Sequence, residues 1–423
     1  MSSAKVQFLT PTITSPMRPS AIMPQCLSSV FPTLHAATIG VLLKALDALA
    51  DGGWLTLTEI ARHWPHATRA AAPLKAMDRL LRSRPLTDAH PSLYGGMIRW
   101  LLRMPRPLII VDWSDLKEDG SFKLLRAGLA VRGRTLTLWE EVHPEKTAGT
   151  VKVESMFLNT LARLLPANCR PIVITDAGFR RPWFAKVTSL GWDYLGRVRG
   201  TVHLQPETGA PIHEDDWVPC RMLHELALAE RSRELGLFRL GRQQAVTTRL
   251  ILHKAAAKGR HALTVKGERR RDTISQDAAR AAREPWVLAT SLSVDEANAV
   301  QVAKMYSRRM TIEQSFRDLK SSALGSGFEH SLTHKAPRLA NLLLLFALVQ
   351  FTAWLVGLHE EQRGEGGRLE NRNTKKRRHH STLRLGMEVL RHPSWWPPLD
   401  QILRFIEQFA LGCPEPLWAA SPS

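Results

Sequence analysis

Cysteine is scarce in this chain: 423 residues contain four, Cys26, Cys169, Cys220 and Cys413. They lie far apart, with no CxxC pair and no Cys/His spacing of a zinc site. Neither a disulfide framework nor structural zinc is indicated, and a reducing cytoplasm fits. A signal peptide is missing too: the opening segment, MSSAKVQFLTPTITSPMRPS, lacks a continuous apolar stretch and reads as a flexible leader. Long apolar runs are nearly absent. Only Leu339–Leu358 is long enough, and free enough of charge, to span a bilayer. Asn341, Gln350 and Thr352 interrupt it and basic sequence flanks it, so it reads as a fully buried core helix, with no membrane partner. Acid is also in short supply: 39 Asp and Glu stand against 58 Lys and Arg, a formal charge of +19. The excess is spread along the chain. A basic protein without a special partner could show it, but the sharper reading is nucleic acid, because Lys and Arg that bind phosphates release counterions.

The length admits two or three domains and a large core. Residues 1–34 are the flexible leader. Residues 35–100 carry helical signals. LHAATIGVLLKALDALADGG ends at Gly52 and Gly53, LTLTEIARHWP runs from a Thr56 or Thr58 cap to Pro65, and AAAPLKAMDRLLRSRP exposes Lys75, Arg79 and Arg82. Short helices about a tight connection suit a DNA-binding helix-turn-helix, and suit a plain helical scaffold as well. Residues 105–199 give three strands, helix, strand, helix, strand, an α/β region with helices on a mixed sheet. Residues 200–284 break that alternation as a β-rich insertion with a solvated basic loop around Arg269–Arg271. Residues 285–360 return with the strand EPWVLATSL and two helices. Residues 361–423 hold a basic loop, including Lys375–Arg378, and a helical end.

Residues 302–322, VAKMYSRRMTIEQSFRDLKSS, contain no Gly or Pro and read as one continuous helix. At about 100° per residue, Tyr306, Arg309, Glu313, Arg317 and Lys320 fall within roughly 80° of one another. Met305, Ile312, Phe316 and Leu319 form an adjacent apolar stripe that wants a core. Ser307, Arg308, Thr311, Gln314, Ser315 and Asp318 make a third sector expected to face water. One carboxylate among three cations and a phenol suits a polyanion held beside a single acidic group. Arg309, Arg317 and Lys320 are candidates to grip phosphates, and Tyr306 to hydrogen-bond a phosphate or stack on a sugar or base. An ordinary solvated helix face has the same residue types.

PLIIVDWSD and PIVITDAG are apolar, β-branched runs that end in acid, which places Asp112 and Asp176 at the carboxyl ends of buried strands. Ligands gather at such ends in α/β sheets, and a carboxylate buried there needs a partner. Either one alone would be a helix cap or loop ligand; with Glu313 they make a candidate catalytic and metal-holding triad. Magnesium, with manganese as the alternative, takes a few carboxylates together with waters and phosphate oxygens. Two such ions about 4 Å apart can activate a water or 3′ hydroxyl and stabilise the leaving oxygen. Asp115 competes with Asp112, which is preferred because it closes the apolar run, whereas Asp115 falls in the loop beyond.

Taken together these residues resemble a family. Tyr306, two residues, Arg309, three residues, Glu313, six residues, Lys320 is similar to the Y-R-E-K signature of bacterial insertion-sequence transposases of family four, the cut-and-paste DDE enzymes. VDWSD around Asp112, TDAGF around Asp176 and EPWVLAT before the helix also look like that family, most of all its insertion-sequence-ten subgroup. The likeness runs from about residue 35 to about residue 395. It implies a ribonuclease-H-like catalytic core with a β-rich insertion, a helical N-terminal domain that binds transposon ends, a helical C-terminal region, and the triad Asp112, Asp176, Glu313. It further implies a homodimer that pairs two ends, at work on target DNA in the bacterial cytoplasm and nucleoid. Trp286, before the acidic helix, would stack with a base flipped out during hairpin formation; core packing explains Trp286 equally. The implied activity is metal-dependent nicking, hairpin formation and strand transfer. Two rivals stay open: a nuclease on the same fold that cuts without joining, and a DNA-binding regulator without chemistry.

Overall fold

The structure is a computed structural model that describes residues 17–102, 104–200, 202–207, 217–242, 244–256, 284–322, 325–369 and 380–411. The first half of the leader, Arg269–Arg271, Lys375–Arg378 and Cys413 lie outside the described residues. In chain order, helices α1 (Pro19–Cys26), α2 (Ala36–Gly52), α3 (Leu57–Arg62), α4 (Ala71–Leu81), α5 (Arg84–Asp88) and α6 (His90–Leu101) come first. Strands β1 (Leu108–Asp115), β2 (Phe122–Val131) and β3 (Arg134–Pro144) follow, then α7 (Val151–Leu164), β4 (Ile172–Thr175), α8 (Arg181–Ser189) and β5 (Asp193–Val198). Next are β6 (His203–Pro206), β7 (Val218–Pro219), β8 (Ser232–Leu240), β9 (Val246–His253) and β10 (Trp286–Thr290). Helices α9 (Ala299–Ser307), α10 (Met310–Lys320), α11 (Ala336–Gln362), α12 (Thr382–Arg391) and α13 (Leu399–Leu411) complete the chain. It divides into two compact units, residues 1–169 with 310–423, and residues 170–309.

In the first unit the second half of the expected leader is not loose. Met17, Ile22, Met23 and Cys26 are buried, and Asp47 on α2 accepts the Ser20 N–H at 2.8 Å and its hydroxyl at 2.6 Å. Spaced apolar residues with a core to enter outweigh the Pro- and Ser-rich composition that suggested a leader. Thr56 is the cap of α3, accepting the Glu59 N–H at 3.2 Å. Residues 63–70 join α3 to α4, longer than the tight connection expected, because Pro65 stops one helix before the next begins. Lys75 and Arg79 on α4 and Arg82 directly after it stand exposed, as their spacing predicts.

Strands β1, β2 and β3 pair antiparallel, with Asp112 opposite Arg126 and Arg126 opposite Glu140. The long apolar run is α11, with 94% of its most apolar stretch buried inside the unit. Two of its three polar interruptions, Asn341 and Thr352, have structural uses. Asn341 is fully buried, donates Nδ2 to the Leu81 carbonyl at 3.1 Å and meets His90 Nε2 at 2.7 Å, which ties α11 to α4 and α6. Thr352 Oγ1 returns to the Leu348 carbonyl at 2.9 Å. Helices α11 and α12 touch backbone to backbone: a Cβ on Gly386 would lie 1.7 Å from the Ala353 oxygen, so only glycine fits.

The second unit is built on a mixed sheet. β4 and β5 are parallel, β5 pairs antiparallel with β10, and β10, β9, β8, β6 and β7 continue in that order as antiparallel neighbours. The described strands of the β-rich insertion therefore extend the sheet that holds β4 and β10. Leu250, Ile251 and Leu252 on β9 are buried beside Val287, Leu288 and Ala289 on β10, so both faces of the sheet are covered at this pair.

Candidate active site

Residues 302–322 are two helices. α9 ends at Ser307, Arg308 and Arg309 form a turn, and α10 begins at Met310. At the turn the N–H groups reach back only three residues, Arg308 to the Met305 oxygen at 3.0 Å and Arg309 to the Tyr306 oxygen at 2.9 Å. Helix propensity alone does not end a helix here; Tyr306 packs in the second unit while Ile312, Phe316 and Leu319 pack in the first. The continuous helix expected is thereby interrupted between Tyr306 and Glu313. Tyr306 is buried, its ring edge-on to Trp286 at 5.1 Å, and Trp286 leans on His253 at 5.2 Å. The half-buried Trp286 ring thus has packing partners on two sides, and Arg309 is half-buried in the turn.

Helix α10 carries Glu313, Arg317 and Lys320 and lies against β1–β3. Ile312, Phe316 and Leu319 are buried, as the stripe predicts. The sector expected to face water does so only in part, with Ser307 exposed and Thr311 and Gln314 half-buried. Ser315 is buried, its Oγ accepting the Thr135 N–H at 2.9 Å and lying 2.9 Å from Thr135 Oγ1. Asp318 receives Arg134 Nη2 at 3.3 Å. These two side chains fasten α10 to the start of β3, which fixes how the rest of the helix is turned. Glu313 falls in the first turn, where the helix dipole favours a carboxylate. Arg317 is exposed, and Lys320 Nζ donates to Ser114 Oγ on β1 at 2.7 Å.

Asp112 is not at a strand end. β1 continues past it to Asp115, since Trp113, Ser114 and Asp115 keep pairing with Leu125, Leu124 and Lys123. Asp115 is the exposed last residue of the strand, ion-paired with Lys123, instead of a loop residue. Asp112 is 8% exposed and its Oδ1 accepts the Trp113 N–H at 2.9 Å. Beside it on β2, the buried Arg126 donates Nε to Glu140 Oε2 at 2.7 Å, Tyr94 OH donates to Glu140 Oε1 at 2.7 Å, and the Arg126 guanidinium lies 5.3 Å from the Phe316 ring. Burial pushes the Lys320 ammonium below its usual range; Asp115 and Asp112 pull it back up, while Arg126 opposes them. Lys320 is therefore a desolvated cation set among both carboxylates of β1. The sequence reading missed Arg126 and Ser114. The signal for Arg126 was a lone guanidinium in the apolar run FKLLRAGLAV, a charge that demands a partner.

Asp176 belongs to the second unit. It follows the last residue of β4, as expected, and its Oδ1 accepts the Gly178 N–H at 2.8 Å in an Asx turn. By chemistry the three carboxylates are oxygen donors that fit a hard divalent cation. Among the described residues, however, no group of three His, Cys, Asp or Glu side chains is assembled closely enough to hold one.

Residues 103–350 match the family model described as a transposase DDE domain, more than half of the chain and a span that includes Asp112, Asp176, Glu313 and Lys320. No curated protein matches the chain.

Proposed function

The chain belongs to the transposase DDE-domain family, whose members act on DNA, and from that membership we propose that it catalyses cut-and-paste transposition of an insertion sequence, in the manner of family four with its Y-R-E-K signature and of the insertion-sequence-ten subgroup within it. Asp112, Asp176 and Glu313 are the acidic residues of this reading and would hold magnesium or manganese once drawn together around it. When bound, the ions would supply an activated water or 3′ hydroxyl and neutralise the leaving oxygen. The chain's own side chains do the positioning. Lys320, anchored on Ser114 and poorly solvated, gains from a phosphate as partner. Arg317, exposed one turn beyond Glu313, takes a neighbouring phosphate, and Arg309 another. Trp286 stacks with an extruded base, and Tyr306 serves by holding the indole edge-on. The exposed Lys75, Arg79 and Arg82 meet the transposon ends, and a homodimer pairs two ends at the nucleoid. Each step is an in-line displacement at phosphorus, so orientation and charge neutralisation supply most of the rate.

The observation that carries this reading is α10 docked on β1, with Lys320 bonded to Ser114 two residues from Asp112. The experiment uses the DNA that flanks the coding region on either side as the candidate ends. Asp112→Asn should abolish magnesium-dependent cleavage while end binding persists; retained cleavage refutes the role of Asp112. Cleavage by the wild-type protein without hairpin or strand-transfer product assigns a nuclease instead. If Glu313→Gln leaves every activity intact, the protein is a DNA-binding regulator.

A further inference from the structure

A cavity of about 540 Å³ opens in the first unit beside the C-terminal half of α10. Trp54, Arg134, Arg317, Gln350, Arg384 and Arg391 line it. Arg134 is paired with Asp318, and Arg384 and Arg391 share one carboxylate, Glu388, at 3.0 and 3.4 Å. With the exposed Arg317, this leaves the wall with an excess of positive charge. Gln350 is 3% exposed, and its Oε1 has no hydrogen-bond partner among the described residues. Buried acceptors are nearly always paired, so one that lines a cavity calls for an N–H from whatever enters. Trp54 is 39% exposed, held by the His330 ring stacked on it at 5.0 Å with 19° between planes. The Leu55 N–H bonds the Ser326 oxygen at 2.6 Å, which joins the loop bearing Trp54 to the loop after α10.

We propose that this cavity receives one unpaired nucleotide of a DNA strand. The indole offers a stacking plane for the base, Gln350 Oε1 accepts an amine or imino N–H from its pairing edge, and the arginines take the adjoining phosphates. An apolar occupant would leave Gln350 unpaired, and inorganic phosphate would use neither Trp54 nor Gln350. A base held in a duplex has its pairing edge occupied and its faces covered, so the strand must be unpaired where it enters. Arg317 lies one turn past Glu313 on the same helix, so a strand gripped by α10 passes the mouth of the cavity. The inference rests on DNA as the substrate and not on the chemistry of the acidic residues.

The test therefore omits divalent metal. The full-length protein is titrated with a duplex carrying one unpaired 2-aminopurine, read by its fluorescence, and with the same duplex fully paired; deoxyadenosine monophosphate is run as a competing probe. The unpaired duplex should bind more tightly, with its fluorescence quenched. Trp54→Ala should remove the quench. Gln350→Leu and Arg384→Ala should each weaken the unpaired complex by roughly 10-fold, the cost of losing one charged or buried hydrogen bond, and leave the paired duplex unchanged. Arg384 is a surface residue, so its variant keeps the test decisive if Gln350→Leu fails to fold. Equal affinity for both duplexes, or a preference that survives all three substitutions, overturns the proposal. Monophosphate binding that the unpaired duplex does not displace assigns the cavity to a free nucleotide and overturns the strand. Failure of the wild-type protein to bind either duplex overturns the premise of a DNA substrate along with it.

Discussion

His90 and Lys320 show how burial sets charge in the first unit. Burial holds the His90 imidazole below its usual range, with the Asn341 hydrogen bond and Glu140 opposing. The folded protein keeps His90 neutral where the unfolded chain takes up a proton. Stability should then fall as the pH drops through about 6.5, the ordinary histidine value, and level off below the lowered folded value. His90→Gln should flatten that part of the acid limb, measured as urea midpoints at successive pH values; an unchanged slope would mean that His90 is charged in the fold. Lys320 is shifted in the same direction by the same cause; in its proposed role that desolvation would serve binding, since a poorly hydrated ammonium loses little more on meeting a phosphate. Among residues the sequence was a good guide to where Asp176 and Glu313 sit, one directly after a buried strand and the other on a helix. It missed Arg126, because nothing along the chain says that Glu140 and Tyr94 will converge on one another to satisfy it.

Helix α10 illustrates the scale of the element. Its apolar stripe was legible because Ile312, Phe316 and Leu319 recur at helical spacing. Its polar fasteners were not: Ser315 and Asp318 look like solvent-facing residues until Thr135 and Arg134 are brought against them. Ser315→Ala leaves the Thr135 N–H buried without an acceptor and should cost about 1–3 kcal/mol in urea unfolding. Because the same contact fixes how Glu313 and Lys320 are turned, DNA cleavage should fall by more than DNA binding. A variant that binds and cleaves like the wild type would show that the apolar stripe alone orients the helix. The turn at Arg308 and Arg309 was equally hidden, since neither residue breaks a helix by its own chemistry.

For the whole molecule the family match implies DNA as the substrate, and the formal charge of +19 is in keeping with it. Binding to DNA should weaken linearly with the logarithm of salt, and Lys320→Ala and Arg317→Ala should each reduce the slope by about 0.9, the counterion release of one phosphate contact. Slopes that match the wild type would place both residues off the DNA.

The sequence by itself determined an α/β chain, basic, with a buried apolar helix and acidic residues on recognisable runs, and its motifs resemble those of the DDE family that the chain matches. Composition and periodicity are properties of neighbours along the chain, and such features survive being read in one dimension. The tertiary structure alone decided that the helix bearing Glu313 is interrupted before Met310, that β1 runs on beyond Asp112, and that Tyr306 turns inward to Trp286. Each depends on a partner far away in sequence, and the free energy of packing against that partner exceeds the small local preferences that spacing and propensity can report.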